Sequence, residues 1–147
     1  MFEILNKEEH TDPDHGRNYS AKHTVTTTYK HPKGIEFKHV HVDGRDYEDV
    51  YVYETVTVGD VTIKYSYDWG NYFIREYVKM YKDDKEVSYA EREHGAVDPL
   101  KTETKQKSNG REILAQISDD FGMNWRDFLR EFAKTFKIKI ELLQMFF

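Results

Sequence analysis

The chain has 147 residues with no cysteine, only three prolines and no long hydrophobic run. Without cysteine there is no disulfide framework, no zinc–thiolate centre and no thiol nucleophile. No stretch approaches the ~20 apolar residues that a membrane-spanning helix requires. Phe2 to Leu5 is too short for a secretory leader and runs into Lys7-Glu8-Glu9, so a soluble, cytoplasmic protein that does not enter a membrane is expected. Basic charge is in deficit: 22 Lys and Arg stand against 27 Asp and Glu, a net charge of −5. The excess lies wholly in residues 1–110, because residues 111–147 balance. Direct nucleic-acid contact is therefore not expected, since phosphate neutralisation dominates that affinity. The balance suits a partner protein with a basic surface. There is no Gly-x-Ser-x-Gly, no phosphate-binding glycine loop and no His-Glu-x-x-His. A non-enzymatic protein without a cofactor is the expectation.

Aromatic residues are plentiful, with 11 Tyr and 9 Phe, and 33% of the chain is charged. That composition belongs to folded rather than disordered chains, and the length suits one domain over 1–147.

Three turn signals organise the middle of the chain. Asp43-Gly44, Gly59-Asp60 and Gly70-Asn71 each separate extended runs, and glycine accepts the positive φ of a two-residue hairpin turn. Reversal at Asp43-Gly44 pairs Val40 with Tyr47, His39 with Glu48 and Phe37 with Val50. Reversal at Gly59-Asp60 pairs Val58 with Val61 and Glu54 with Tyr65. Reversal at Gly70-Asn71 pairs Trp69 with Tyr72 and Tyr65 with Glu76. Opposed residues share a sheet face. All three registers put Ile35, Phe37, Val50, Val52, Val56, Val58, Val61, Ile63, Tyr67, Trp69, Tyr72, Ile74, Val78 and Met80 on one side. Threonine-rich residues 22–31 add a strand at the edge. The result is an antiparallel β-meander of about five strands over residues 22–81. The polar opposite face is rich in tyrosine, with Tyr47, Asp49, Tyr51, Tyr53, Asp68, Phe73, Tyr77 and Tyr81.

Outside the meander the signals are local. Phe2, Ile4 and Leu5 allow a first strand, and a polar loop with His10 and His15 completes the N-terminal segment 1–21. Residues 86–90 allow a further strand, and residues 91–110 read as a mobile loop. Asn109 with Glu112 opens a helix that Gly122 closes. Asn124 caps a second, in which Trp125, Phe128, Leu129, Phe132 and Phe136 form one stripe. Residues 137–142 alternate as a closing strand would, while Phe136, Ile140 and Leu143 also fit a longer helix. The aromatic stripe needs an apolar partner, and the meander offers one. An α+β fold follows, with two C-terminal helices packed on one face of the sheet.

Three clusters carry possible chemistry. His39 and His41, facing Glu48 and Asp46 in the predicted hairpin, make a candidate metal site or a set of cross-strand charge pairs. Lys33, Glu54, Tyr65 and Glu76 form one row on the apolar face. Glu54, Tyr65 and Glu76 are candidates for acid–base work if a cleft encloses them. Ile117, Ser118, Phe121, Gly122, Met123 and Phe128 partly match a helix-turn-helix spacing, with Arg126 and Arg130 as its phosphate contacts. The fourth candidate is the tyrosine face itself, bordered by Asp43, Asp46, Asp49, Asp68, Asp83 and Asp84. Small, acidic, cysteine-free and without a catalytic motif, the chain resembles bind-and-block proteins such as phage anti-CRISPR inhibitors and toxin-immunity proteins. That resemblance implies a protein partner, with the acidic residues imitating nucleic-acid phosphates toward it. A homodimer stays open.

Overall fold

The computed structural model describes residues 2–12, 21–46, 49–70, 73–95, 101–105 and 110–144. Among them, eight strands pair antiparallel in chain order: β1 (Ile4–Asp12), β2 (Ala21–Tyr29), β3 (Phe37–Asp46), β4 (Asp49–Val58), β5 (Val61–Trp69), β6 (Phe73–Lys82), β7 (Lys85–Gly95) and β8 (Lys101–Lys105). Helices α1 (Gly110–Asp120), α2 (Trp125–Phe136) and α3 (Ile140–Gln144) follow. The α+β class and the meander are as expected, with more strands. β1 takes the edge in place of β2, and its exposed Lys7, Glu8 and Glu9 suit a strand with one unpaired side. The stretch 91–110, read as a loop, supplies the end of β7 and all of β8.

Of the three predicted reversals, only Gly59-Asp60 holds without change. Gly59 has a φ of +57°, and Val58 pairs with Val61. At the third, Trp69 pairs with Ile74 instead of Tyr72, lengthening the loop. At the first, β3 runs straight through Asp43-Gly44, Asp46 pairs with Asp49, and Val40 meets Thr55 instead of Tyr47. Both slips move the partner by an even number of residues. Because side chains alternate with period two, the two faces keep their composition although the pairings change.

The inner face carries the core. Phe37, Val56, Val58, Val61, Ile63, Val78 and Met80 are buried against Phe128, Leu129, Phe132 and Phe136 of α2, with Leu114 and Ile117 of α1. Phe136 contacts Tyr29 and Phe37 at ring separations of 5.5 and 5.4 Å, and Phe2 sits between Phe37, Phe121 and Phe136. Burying each such side chain contributes about 1.5–3 kcal/mol. The helices do not reach the far end of this face. A 12-residue helix is ~18 Å long, whereas a ten-residue strand is ~33 Å. Val50 and Trp69, predicted for the apolar face, remain 37% and 44% exposed at the uncovered end.

Helix ends follow local chemistry. Gly122, at φ +65°, closes α1, and the Asn124 side chain accepts from the Arg126 N–H at 2.9 Å to open α2. Asn109 lies outside the described residues. The closing strand over 137–142 is corrected to a helix stop and a short helix. Lys137 adopts a left-handed conformation, φ 57°, and Ile138 N–H returns to the Ala133 carbonyl at 3.1 Å. The chain then turns into α3, burying Ile138, Leu142 and Leu143 at helical spacing while Ile140 is only partly buried.

Candidate functional site

Two polar assemblies stand out, one on each side of the sheet. The inner one marks the boundary between the helix-covered and uncovered halves. Strand alternation sends Glu54 and Glu76 inward, and burial of a carboxylate is costly unless hydrogen bonds satisfy it. Glu54 is fully buried and binds both histidines, with His39 Nε2 at 2.9 Å from Oε1 and His41 Nδ1 at 2.6 Å from both oxygens. His41 Nε2 reaches Asp43 Oδ2 at 2.7 Å, so its ring is clamped between two carboxylates. Burial lowers the pKa of His41, but the hydrogen bonds and charges of Asp43 and Glu54 outweigh it and leave the value raised. His39 also lies edge-on to Phe136, 5.1 Å between ring centres, which ties this cluster to the end of α2.

Glu76 is held equally firmly. It accepts from the Tyr65 hydroxyl at 2.6 Å and from Arg92 Nε and Nη2 at 3.0 and 2.7 Å. Burial first, and then the bond to Glu76, raise the Tyr65 pKa and keep the phenol protonated. The row predicted from sequence is thus partly assembled. Glu54 and Tyr65 are cross-strand partners, but Tyr65 turns to Glu76, and Lys33 is elsewhere, 2.7 Å from Asp120 at the end of α1. Both carboxylates accept hydrogen bonds from these side chains, Glu54 from the two histidines and Glu76 from Tyr65 and Arg92.

The histidine pair is likewise placed differently from the predicted hairpin. His39 and His41 face Val56 and Glu54 in the ladder, not Glu48 and Asp46. Their nitrogens stand at hydrogen-bond distance from Glu54, donating into the carboxylate. Glu48, Tyr47 and the side chains of Asp46 and Phe73 lie outside the described residues, as does His15. No group of three or more His, Cys, Asp or Glu among the described residues is arranged to hold a metal ion.

The outer face carries the tyrosines. The Tyr51 ring covers Gly44 and stacks on Tyr53, with ring centres 4.9 Å apart and planes inclined by 23°. Tyr53 donates to Asp68 at 3.4 Å, and the Ser66 hydroxyl joins at 3.2 Å. Burial and Asp68 push the Tyr53 pKa up to about 12. Glu91 binds the Tyr89 hydroxyl and the Arg75 guanidinium. Lys79 Nζ stands over the rings of Tyr77 and Tyr89, at 4.7 and 5.5 Å, and Lys64 Nζ stands over Tyr81 at 5.2 Å.

The acidic border is not one surface. Asp43 belongs to the inner face with His41, Asp68 lies within the tyrosine layer, and Asp83 and Asp84 form the left-handed β6–β7 turn at φ 50° and 63°. On α2, Arg126 and Arg130 are exposed, and Arg130 shares a depression of about 580 Å³ with Met123, Asp127 and Glu131. Those acids offset the attraction to phosphate that a recognition helix needs.

Sequence reasoning missed Arg92, hidden in the stretch read as a loop. Alternation of Ser88, Ala90 and Arg92 against Tyr89 and Glu91 was the signal available. It also missed His31, which is buried against Phe121, 5.3 Å between ring centres, with its Nδ1 accepting from Lys33 N–H at 3.1 Å. No helix of the described residues is long and apolar enough to cross a membrane. In comparisons with known proteins, no family model, no curated protein and no solved structure matches the chain.

Proposed function

We propose that this chain is a non-enzymatic binding module, a bind-and-block protein in the anti-CRISPR-like or immunity-like manner, whose contact surface for a partner protein is the outer tyrosine face. The observation that carries the reading is the fixed state of those rings. Tyr51, Tyr53, Tyr77 and Tyr89 are each held by stacking, a hydrogen bond or a lysine before any partner arrives. Association normally costs conformational entropy for each side chain it immobilises, and aromatic rings that are already ordered lower that cost while offering large contact areas. The acid–base candidates support the same reading from the other side, because Glu54 and Glu76 are taken up by histidines, arginine and tyrosine. The dispersal of the aspartates removes support from phosphate mimicry and leaves the tyrosines as the contact residues.

Affinity capture from a native host lysate tests this. The expected result is one stoichiometric protein that binds the intact chain and is lost with the Tyr53→Ala/Tyr77→Ala double variant, whose thermal unfolding remains cooperative. Equal capture by both proteins would overturn the assignment of this face.

A further inference from the structure

One arrangement recurs across the sheet: a tyrosine hydroxyl donates to a carboxylate that a second donor also holds. Tyr89 and Arg75 do so on Glu91, Tyr53 and Ser66 on Asp68, and on the inner face Tyr65 and Arg92 on Glu76. In the middle of the outer face the pattern is incomplete. Lys64 over Tyr81 and Lys79 over Tyr77 provide the cation and the phenol, while the nearest acid, Glu91, is taken up by Tyr89 and Arg75 and acts on Lys79 only through space. Among the described residues, neither ammonium has a carboxylate within ion-pair distance, and neither of these two hydroxyls makes a side-chain hydrogen bond. Lys64 and Lys79 are also direct partners in the β5–β6 ladder. Like charges placed opposite each other disfavour a sheet, and opposite charge arriving from outside relieves the repulsion.

We propose that Lys64 and Lys79, flanked by Tyr81 and Tyr77, form a receptor for the carboxylates of an acidic segment on a partner protein. This rests on the reading of the outer face as the contact surface, and it reverses the basic partner that the net charge suggested. The neighbouring row favours carboxylates on a protein over the phosphates of a nucleic acid. Ser66, Tyr77 and Glu91 align there, with Asp68 one row further. A continuous phosphate chain crossing the face would meet those two acids. A polypeptide places acids over the lysines and neutral side chains over the rest.

Fluorescence anisotropy of the full chain with a labelled peptide carrying two glutamates among neutral residues, the same peptide with lysines in their place and an oligothymidylate of matched length tests the proposal. The glutamate peptide is expected to bind saturably. Its affinity is expected to fall by about tenfold or more in Lys64→Gln/Lys79→Gln, the scale of losing one charge-assisted hydrogen bond. Lys64→Arg/Lys79→Arg restores binding, while Lys134→Gln/Lys139→Gln, in α2 and in the link to α3, leaves it unchanged. Preference for the lysine peptide, tighter binding of oligothymidylate than of the glutamate peptide, or equal loss in the Lys134/Lys139 variant would each overturn the carboxylate receptor. Lysate capture separates the two readings. A partner lost with Tyr53→Ala/Tyr77→Ala but kept with the lysine variant refutes the receptor alone, and one kept with both refutes the face as well.

Discussion

The Tyr51 ring lies on the backbone of Gly44, its partner across the β3–β4 ladder, so closely that a Cβ built on Gly44 would stand 1.9 Å from Tyr51 Cζ. Gly44 is therefore a strand residue selected by the space above it. Gly44→Ala forces Tyr51 off its seat and breaks the stacking on Tyr53, and overpacking of this kind costs about 1–3 kcal/mol. Urea denaturation is expected to show the midpoint falling with an unchanged slope. Pairing Gly44→Ala with Tyr51→Ala should recover part of the loss, because the clash disappears with the ring. A Gly44→Ala protein as stable as the parent would remove Tyr51 from the glycine.

The clamp on His41 makes stability depend on pH from the alkaline side. Its pKa is raised in the folded protein by Asp43 and Glu54 against the opposing effect of burial. The folded state thus holds the proton more tightly than the unfolded chain, whose histidine titrates at ~6.5. The stabilisation is complete below that unfolded value and is lost as pH rises through the folded one. Urea midpoints measured from mildly acidic to alkaline pH should decline for the parent and lose that part of the decline in His41→Gln. Glu54→Gln leaves the buried His39 and the partly buried His41 without their shared carboxylate and should cost about 3–5 kcal/mol, as breaking a buried pair does. A parent protein whose midpoint is flat across that range would refute the clamp.

How much of this was legible depends on which period each residue obeys. The faces of the sheet were readable because alternation survives an even slip, so Phe37, Val56, Ile63 and Met80 were assigned inward although the β3–β4 reversal was misplaced. The misplacement had a specific cause: Asp-Gly is the strongest short turn signal, and nothing local distinguishes a glycine needed for φ from one needed for the space above it. That slip hid the site. His39 and His41 were set against Glu48 and Asp46, and Glu54 was set apart with Tyr65 and Glu76, whereas in the fold the histidines and Glu54 are one cluster. Arg92 carries only a weak signal for another reason: its alternation with Tyr89 and Glu91 has no apolar side, since β7 is polar on both faces beyond Ala90 and pairs with a strand of five residues, Lys101–Lys105.

Lys137 shows the same limit at the C-terminus and yields a further prediction. It ends α2 in the left-handed region, at φ 57°, where most helices place glycine. Its own N–H and that of Ile138 both close on the Ala133 carbonyl, so the conformation is required by the turn toward α3. With lysine at that position the sequence shows no helix stop, and Lys137 to Leu142 imitates a strand. A left-handed residue with a Cβ carries a penalty of ~1–2 kcal/mol that glycine avoids, offset in part by the greater freedom of glycine in the unfolded chain. Lys137→Gly should therefore raise stability by about 0.5–1 kcal/mol, read as a higher urea midpoint. Lys137→Val should lower it, because a branched side chain tolerates that φ least. If residues 137–142 formed a strand, the order would reverse, with valine favoured over glycine.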